Sequence, residues 1–395
     1  MYRNKHKLSL TLLPVDQKTM DCNLDTTSFV PEQNIVNIKQ GKLCLPDDLT
    51  DISFVQKKGK KTILSEIKIY KLIASNKQSK KKAIIRPISN ASNESSLILP
   101  FMSGRNLDFH HYFLFEQFEK KSIASIWLMK QLFLLLEALC HLHTETFILE
   151  NQAFKGIIHG DIKSSNILIN ELGNLVLADF DCAYSAGEPA HQFGSLRYVA
   201  PELFANMDFT KIPILNVDKS DIWSLGATLY RLLNNKFPTF FNDFTLNQKK
   251  VKLNFFQEEL DKNNYCDLKD NIDCFIDLKK WGENYSSSSM AKNARESLKI
   301  LQEIIDKELT PLTPREILNY FCFAMLTPVE ERPCAQTLLN LRHGLEKHFC
   351  AANDEEYQQF ITALLNHSLL NVEENVKKTL IPEKEPHNKK NRIFS

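Results

Sequence analysis

The chain has 395 residues, 43% of them hydrophobic, with 49 Lys and Arg against 48 Asp and Glu. This length is enough for one large domain plus extensions. Nine cysteines without paired spacings exclude a disulfide framework and indicate a reducing compartment, the cytoplasm. Only a short apolar run follows the basic start, and Lys130 and Glu137 interrupt the longest apolar stretch, so neither a signal peptide nor a transmembrane segment is expected.

The first hundred residues are predicted to hold an extension and a small lobe. Residues 1–32 lack strong periodicity and are assigned to the N-terminal extension, whereas residues 33–101 are assigned to a mostly β lobe. Within it, residues 52–57 are predicted to be a strand. Residues 62–74 carry apolar side chains at helical spacing and predict the single helix of this lobe.

A dense basic run crosses the small lobe. Eleven Lys and Arg occur between residues 57 and 86, against Glu66 alone. Such a run is of the kind that binds a polyanion: an inositol phosphate, a phosphoinositide headgroup or RNA. The alternative is a solvated lysine surface without a specific ligand, which is the more common case. Aromatic residues do not alternate with the lysines, which argues against sequence-specific recognition of nucleic acid.

The rest of the chain is predicted to be mainly helical. Residues 102–345 are assigned to a larger helical lobe with insertions at about 144–155 and 235–312, and residues 346–395 to a C-terminal helix and charged tail. The tail from Val372 is expected to be disordered. The predicted helices are residues 126–143, 249–261, 291–309, 335–349 and 355–370.

Three polar motifs stand out in the larger lobe. They are residues 159–166 (HGDIKSSN), 179–181 (DFD) and 194–202 (GSLRYVAPE). Apolar runs on either side of Gly173 and Asn174, residues 167–169 and 175–177, separate the first two motifs and predict a short hairpin.

In this order and at this spacing, the motifs resemble the catalytic loop, metal-binding Asp motif and activation segment of protein kinases. The resemblance implies that Asp161 accepts the proton of the attacking hydroxyl. It also implies that Lys163 neutralises charge on the transferred phosphate. A lysine at position 163, followed by the motif of residues 194–202, is similar to the serine/threonine branch of the family.

The same resemblance implies ATP and a divalent cation, Mg²⁺ or Mn²⁺, as cofactors. Asn166 and Asp179 would bind the metal, since hard cations prefer oxygen ligands. Lys57 is the candidate for pairing with the nucleotide phosphates, with Glu66 as its carboxylate partner on the helix. Lys58 is the alternative lysine.

Flanking segments extend the resemblance. Residues 96–107 are similar to the fifth strand and hinge of the family, which implies that Leu99 lies beside the adenine and that the backbone N–H of Met102 binds it. Asp221 resembles the residue that anchors the catalytic-loop backbone. Glu202 and Arg332 resemble a buried structural ion pair.

The sequence departs from the family pattern at three places. Gly41 is the one glycine in residues 33–57, so a Gly-rich loop cannot cradle the phosphates. Gly160 replaces the arginine that in many kinases grips a phosphorylated activation segment, which argues against activation by phosphorylation. Asp181 replaces a glycine, and aspartate tolerates unusual backbone angles better than most residues.

The sequence therefore predicts an α+β protein with the two-lobed protein kinase-like fold. Its predicted function is a divergent Ser/Thr protein kinase acting on a protein substrate. One alternative is a nucleotide-binding pseudokinase that acts as a scaffold, and another is a transferase of the same fold with a non-protein acceptor. The composition also resembles that of effector kinases that intracellular bacteria deliver into the cytoplasm of host cells.

Overall fold

The computed structural model describes a β-rich small lobe and a larger helical lobe, which confirms the predicted α+β architecture. The described residues are 6–11, 19–27, 37–44, 52–58, 61–90, 96–120, 122–188, 194–205, 217–238, 279–307, 312–346 and 353–379.

The small lobe is built on a six-stranded antiparallel sheet with the order β1-β2-β3-β4-β6-β5. Lys57 pairs with Leu97 across the β4–β6 ladder, and Val55 pairs with Leu99. The register thus brings Lys57 and the strand that leads to the hinge side by side. The strands are β1 His6–Thr11, β2 Thr19–Thr27, β3 Asn37–Cys44, β4 Ile52–Lys58, β5 Ser89–Asn90 and β6 Ser96–Pro100.

The expectation that residues 1–32 lack periodicity is wrong for two segments. Strands β1 and β2 fall within these residues, and β2 pairs with β3, so the sheet continues across residue 33. The reason is visible in the alternation of apolar residues at Met20, Cys22 and Leu24, which has the period of two that a strand requires.

Helix α1 (Lys61–Ser75) is the predicted helix of the small lobe. Glu66 and Tyr70, one turn apart, are both buried. Lys68 and Ser75, two turns apart, lie on an exposed face. Because each residue advances the helix by about 100°, Glu66 and Lys68 point in nearly opposite directions. The helix therefore presents one face to the cleft and another away from it.

Helix α3 (Ser122–Thr144) is the central helix of the larger lobe. It is the one described helix that is long and apolar enough to cross a membrane, but 78% of its most apolar window is buried inside the protein. A helix that is apolar on nearly every side is typical of the centre of a large domain.

The remaining helices surround α3. The predicted helix over residues 291–309 is confirmed as α6. The prediction for residues 249–261 lies outside the described residues. The helices are α2 His111–Lys120, α4 Pro201–Ala205, α5 Val217–Asn234, α6 Ser289–Lys307, α7 Pro314–Met325, α8 Ala335–Asn340, α9 Arg342–Glu346 and α10 Asp354–Thr379.

Two predicted helix boundaries are corrected. The helix predicted over residues 335–349 is divided into α8 and α9 at Leu341, whose N–H also bonds the carbonyl three residues earlier and tightens the turn. Helix α10 continues to Thr379, although the tail from Val372 was expected to be disordered. Glu373 and Lys377 follow at the i,i+4 spacing that favours a helix.

Short hairpins position the loops of the larger lobe. Strands β10 (Ile167–Ile169) and β11 (Leu175–Leu177) form the predicted hairpin. The insertion after α3 is a second hairpin, β7 (Thr146–Leu149) and β8 (Gln152–Lys155). Strand β9 (Ile157–Ile158) pairs with β12 (Tyr184–Ser185), which brings together the two ends of the segment 159–183.

Helix α10 packs against the larger lobe beside the β10–β11 hairpin. Phe360 contacts Trp127, with ring centroids 5.6 Å apart. Ser368 Oγ lies 3.2 Å from His110 Nε2. An ideal Cβ on Gly173 would lie 2.7 Å from the side chain of Ile361, so the helix sits directly on the hairpin turn.

A buried ion pair connects α4 to the segment between α7 and α8, as predicted. Arg332 donates from Nη1 to Glu202 Oε1 at 2.6 Å and from Nη2 to Oε2 at 2.9 Å. Its Nε donates to the carbonyl oxygen of Thr327 at 3.0 Å. The Arg332 side chain is fully buried, so its charge depends on these partners.

We expect Arg332→Ala to lower the free energy of unfolding by about 3–5 kcal/mol, because it removes one member of a buried ion pair and both of the hydrogen bonds that Arg332 donates to Glu202. The measurement is urea denaturation. Lys120→Ala is the matched control, since Lys120 pairs with Glu116 on the surface and should cost less than about 0.5 kcal/mol. Equal losses in the two variants would contradict a structural role for the buried pair.

Candidate functional site

One lysine connects the small lobe to the polar motifs of the larger lobe. Lys57 Nζ, at the end of β4, lies 3.0 and 2.9 Å from the two carboxylate oxygens of Glu66 on α1. It also lies 2.6 Å from Asp179 Oδ1, in the loop after β11. The structure thus brings together three of the predicted site residues, and Lys57 contacts Glu66 as predicted.

The backbone of Asp179 is left-handed, with φ of 67°. This conformation is uncommon for a residue other than glycine and is found in many functional sites. The next residue, Phe180, is fully buried between Tyr70 and His159, at ring-centroid distances of 5.3 and 4.7 Å. Packing of Phe180 therefore fixes the turn that directs Asp179 toward Lys57.

The three charges are one cation between two carboxylates. Burial alone would lower the pKa of Lys57, but Asp179 and Glu66 outweigh it and raise that pKa. Burial raises the pKa of Glu66 to about 7 against the attraction of Lys57. The recessed position of Asp179 favours its neutral acid, but Lys57 outweighs this and lowers the pKa of Asp179. Glu66 is therefore the carboxylate of this cluster that takes up a proton most readily.

A second cluster surrounds Asp161. Asn166 Nδ2 donates to Asp161 Oδ2 and to its backbone carbonyl, both at 2.9 Å. Lys163 Nζ lies 2.8 Å from Asp161 Oδ2 and donates to Ser195 Oγ at 2.6 Å. The backbone N–H of Ser195 donates to Asp161 Oδ1 at 2.6 Å. These bonds fix the Asp161 carboxylate in position.

Asp221 on α5 forms hydrogen bonds with the backbone directly before Asp161, as predicted. The Asp221 carboxylate accepts the N–H groups of His159 and Gly160 at 2.8 and 3.0 Å. His143 Nε2, at the end of α3, lies 2.8 Å from the same carboxylate. Burial would raise the pKa of Asp221, but the bond to His143 and these contacts lower it, so Asp221 is held as a carboxylate.

Two departures from the family pattern have a local explanation. Gly160 has φ of 76°, and a Cβ there would lie 2.8 Å from the carbonyl oxygen of Cys182. A side chain at position 160 would thus be strained in this loop. Asp181 is not among the described residues with positive φ, so its backbone does not require a glycine at that position. The strained residue of the motif is Asp179 instead.

The predicted hinge residues lie at the end of the sheet. Leu99 is buried in β6, and Met102 follows the strand, half-buried against the core. The carbonyl of Met102 accepts the N–H of Arg105 at 3.1 Å in a turn. Their contacts with adenine stay predictions.

The oxygen atoms of the site suit a hard cation. The amide nitrogen of Asn166 donates to Asp161, and its oxygen accepts only a long bond of 3.5 Å from Ser165 Oγ, which leaves it able to bind a metal. Asp179 is 36% exposed at its side chain, so part of the carboxylate faces the cleft. Within the described residues, no group of three or more His, Cys, Asp or Glu could hold a metal alone. One carboxylate and one amide are typical of Mg²⁺ sites completed by phosphate and water.

Sequence reasoning missed two supporting residues. Ser195 is one residue of the third motif, and its position directly after Gly194 is the signal for a close backbone approach. A Cβ on Gly194 would lie 2.3 Å from the carbonyl oxygen of Gly160. No sequence pattern distinguishes His143, because it is one residue near the end of a largely apolar helix.

Residues 50–367 match the family model described as the protein kinase domain. This segment contains both clusters and is more than half of the chain.

Individual relatives are distant. A relative described as a serine/threonine-protein kinase B of Trypanosoma brucei brucei is 27% identical over 216 residues, 51% of this chain and 43% of the relative. The human hormonally up-regulated neu tumor-associated kinase is 28% identical over 165 residues, 40% of this chain and 20% of the relative. The rat serine/threonine-protein kinase TAO3 is 43% identical over 88 residues, 22% of this chain and 9% of the relative. The chain thus spans less than half the length of the relatives it matches.

We expect the stability contributed by Glu66 to fall as the pH rises from about 5 to about 8 in the absence of divalent metal. The folded pKa of Glu66, about 7, lies above the ordinary value of 4.5, so the folded protein binds the proton more tightly than the unfolded chain. Between these pH values the loss should be about 2–3 kcal/mol.

Urea denaturation of the wild type and Glu66→Gln at both pH values, with a chelator present, measures this effect. Glu66→Gln should improve relative to the wild type as the pH rises. A difference between the two proteins that does not depend on pH would show that the pKa of Glu66 is not raised.

Proposed function

The chain belongs to the protein kinase family, and we propose that it transfers the γ-phosphoryl group of ATP to serine or threonine hydroxyls of a protein. The observation that carries this proposal is the arrangement around Asp161. Its carboxylate lies beside Lys163 and Asn166, and Lys163 also lowers the pKa of Asp179, so the Lys57–Glu66–Asp179 cluster is adjacent to Asp161.

In this proposal, Asp161 orients the attacking hydroxyl and accepts its proton. Three donors, Lys163, Asn166 and the N–H of Ser195, hold the carboxylate, so little reorganisation is needed when the substrate binds. Lys163 also carries a positive charge toward the transferred phosphate. Because phosphoryl transfer has a loose transition state, positioning and charge stabilisation supply most of the rate enhancement.

Lys57 orients the nucleotide phosphates, and Glu66 keeps the lysine in place. Asp179 and Asn166 would hold Mg²⁺ or Mn²⁺, which when bound neutralises phosphate charge. The pairing of Lys57 with Asp179 supports this division of roles, since it keeps the lysine that would bind the phosphates beside the carboxylate that would bind the cation.

Two features support a protein hydroxyl as acceptor. Ser195, which opens the segment of residues 194–202, bonds both Asp161 and Lys163, so this segment lines the reaction centre. The matched relatives bear the names of serine/threonine-protein kinases. The cytoplasmic location and delivery into a host cell stay predictions from composition.

We expect Asp161→Ala and Asp179→Ala each to reduce phosphoryl transfer by more than about a thousand-fold, because each removes a group essential to the chemistry. The assay is turnover of γ-labelled ATP with Mg²⁺ and with Mn²⁺, followed by mass spectrometry of the product. Asp354→Ala, at the exposed start of α10, is the control and should retain activity.

Other outcomes favour the alternatives. Full activity in Asp161→Ala would reject the assignment. A thermal shift with nucleotide but no turnover by the wild type would favour a scaffolding pseudokinase. Label on a small molecule, or transfer of the nucleotide itself, would favour a different acceptor or reaction.

We also propose that a polyanion binds beside the small lobe. The basic run is not one surface: Lys57 lies in the cleft, Lys68 and Lys71 lie on exposed positions of α1, and the following turn is separate. That turn, Lys77–Lys81, exposes Lys77, Lys80 and Lys81 within five residues. This density of exposed cations supports an inositol phosphate or a phosphoinositide headgroup as ligand.

We expect the turn to bind inositol hexakisphosphate or phosphoinositide-containing vesicles at about 0.15 M salt, where weak surface charge effects are screened. Replacing Lys77, Lys80 and Lys81 by Gln should weaken binding at least about ten-fold. Lys68→Gln with Lys71→Gln is the control. Equal loss in both sets would indicate non-specific attraction, and binding of vesicles alone would identify the lipid as the source.

A further inference from the structure

The hairpin formed by β7 and β8 lies against the outer face of α1. The backbone N–H of Ile148 donates to Ser75 Oγ at 3.1 Å. Lys68 Nζ lies 5.0 Å from the ring centroid of Phe154, within the range of a cation–π contact. Lys68 and Ser75 are two helical turns apart on one face, so the hairpin contacts α1 along much of its length.

The hairpin is firmly attached to the larger lobe. Phe147 is fully buried and its ring meets His141 of α3 edge to face, with centroids 5.7 Å apart. Phe147 and Phe154 are direct cross-strand partners, so both rings lie on the inner face of the hairpin. The N–H of Gly156 donates to the carbonyl of Glu145 at 3.0 Å and closes the base.

The tip of the hairpin is equally well defined. Glu150 and Asn151 have φ of 51° and 65°, the pattern of a two-residue turn with two left-handed residues. Such turns match the natural twist of paired strands and are among the commonest hairpin connections. Helix α1 is thus contacted by a short, fixed element that continues directly from α3.

The opposite face of α1 carries the residues of the cleft. Glu66 pairs with Lys57, and Tyr70 packs on Phe180 beside Asp179. Helix α1 is therefore enclosed between the hairpin on one side and the cleft on the other. An outward movement that separated Glu66 from Lys57 would have to displace the hairpin or break its contacts with Lys68 and Ser75.

We propose that this hairpin is a positioning element that holds α1 so that Glu66 stays paired with Lys57. The inference deepens the proposed function and rests on it, since it explains how the phosphate-binding lysine is kept ready without an activating partner. Phe147 is the key positioning residue, because its burial against α3 fixes the hairpin. Gly160 is consistent with this, since the loop lacks the arginine that would grip a phosphorylated segment.

The test combines amide hydrogen exchange with kinetics on the full chain. In Phe147→Ala, we expect exchange of the α1 amides to increase at least about ten-fold through easier local opening. In the same variant, kcat/KM for ATP should fall about ten- to a hundred-fold as Lys57 loses its fixed position. Phe147→Leu should restore most of both properties, because it refills the buried site.

Phe321→Ala is the matched control. Phe321 is equally buried and packs on Phe133 of α3, with ring centroids 5.8 Å apart. It should lower Tm about as much as Phe147→Ala but leave the exchange of α1 and kcat/KM nearly unchanged. An equal release of α1 in both variants would reduce the role of the hairpin to general stability and overturn the proposal.

A milder variant covers the case in which Phe147→Ala does not fold. Lys68→Gln with Ser75→Ala removes the exposed contacts with the hairpin and also the Lys68–Glu188 ion pair, and the exchange of α1 should then increase about three-fold. Glu188→Gln removes the ion pair alone and should leave that exchange nearly unchanged. Unchanged exchange in a folded hairpin variant would overturn the proposal whatever the activity. Release of α1 in the hairpin variants, with no turnover by the wild type, would reject the proposed function and leave the positioning role intact.

Discussion

The pairing of one ammonium group with two carboxylates is the interaction on which the cleft depends. Lys57 and Glu66 come from a strand and the helix that follows it, nine residues apart, whereas Asp179 comes from a loop 122 residues beyond Lys57. Because this cluster is recessed, solvent and salt screen it little, and each charge depends on the others. The sheet, the packing of Phe180 and the contacts of α1 all restrict where these three side chains can lie.

In the larger lobe, backbone groups restrict where the site residues can lie. Asp221 accepts two consecutive N–H groups and thereby fixes the start of the loop that carries Asp161. Left-handed residues at Gly160 and Asp179 then turn the chain so that its carboxylates face the cleft. Fixed hydrogen bonds in a preorganised site need little rearrangement during a reaction, which makes them more effective than mobile side chains would be.

Local patterns explain which features could be predicted from the sequence. The strand pattern of β4 and the helical spacing of α1 predicted the elements that carry Lys57 and Glu66, and the pattern of β10 and β11 predicted the hairpin between the first two motifs. The order of the motifs singled out Asp161 and Asp179 as candidate site residues. The contact of the hairpin with α1 could not be predicted, since Ile148 and Ser75 are 73 residues apart and neither is unusual in its own segment. The same holds for Ser195, whose role depends on the close approach of two loops.

Helix α10 sets a lower limit on the part of the chain that folds as one unit. Its residues cover Trp127 and the turn at Gly173, which belongs to the hairpin that follows the catalytic loop. A shorter chain that ended before Asp354 would leave this apolar surface in water and remove the support beneath that turn. The C-terminal helix is therefore part of the kinase domain itself, and a fragment that folds as one unit has to extend at least through Ser368.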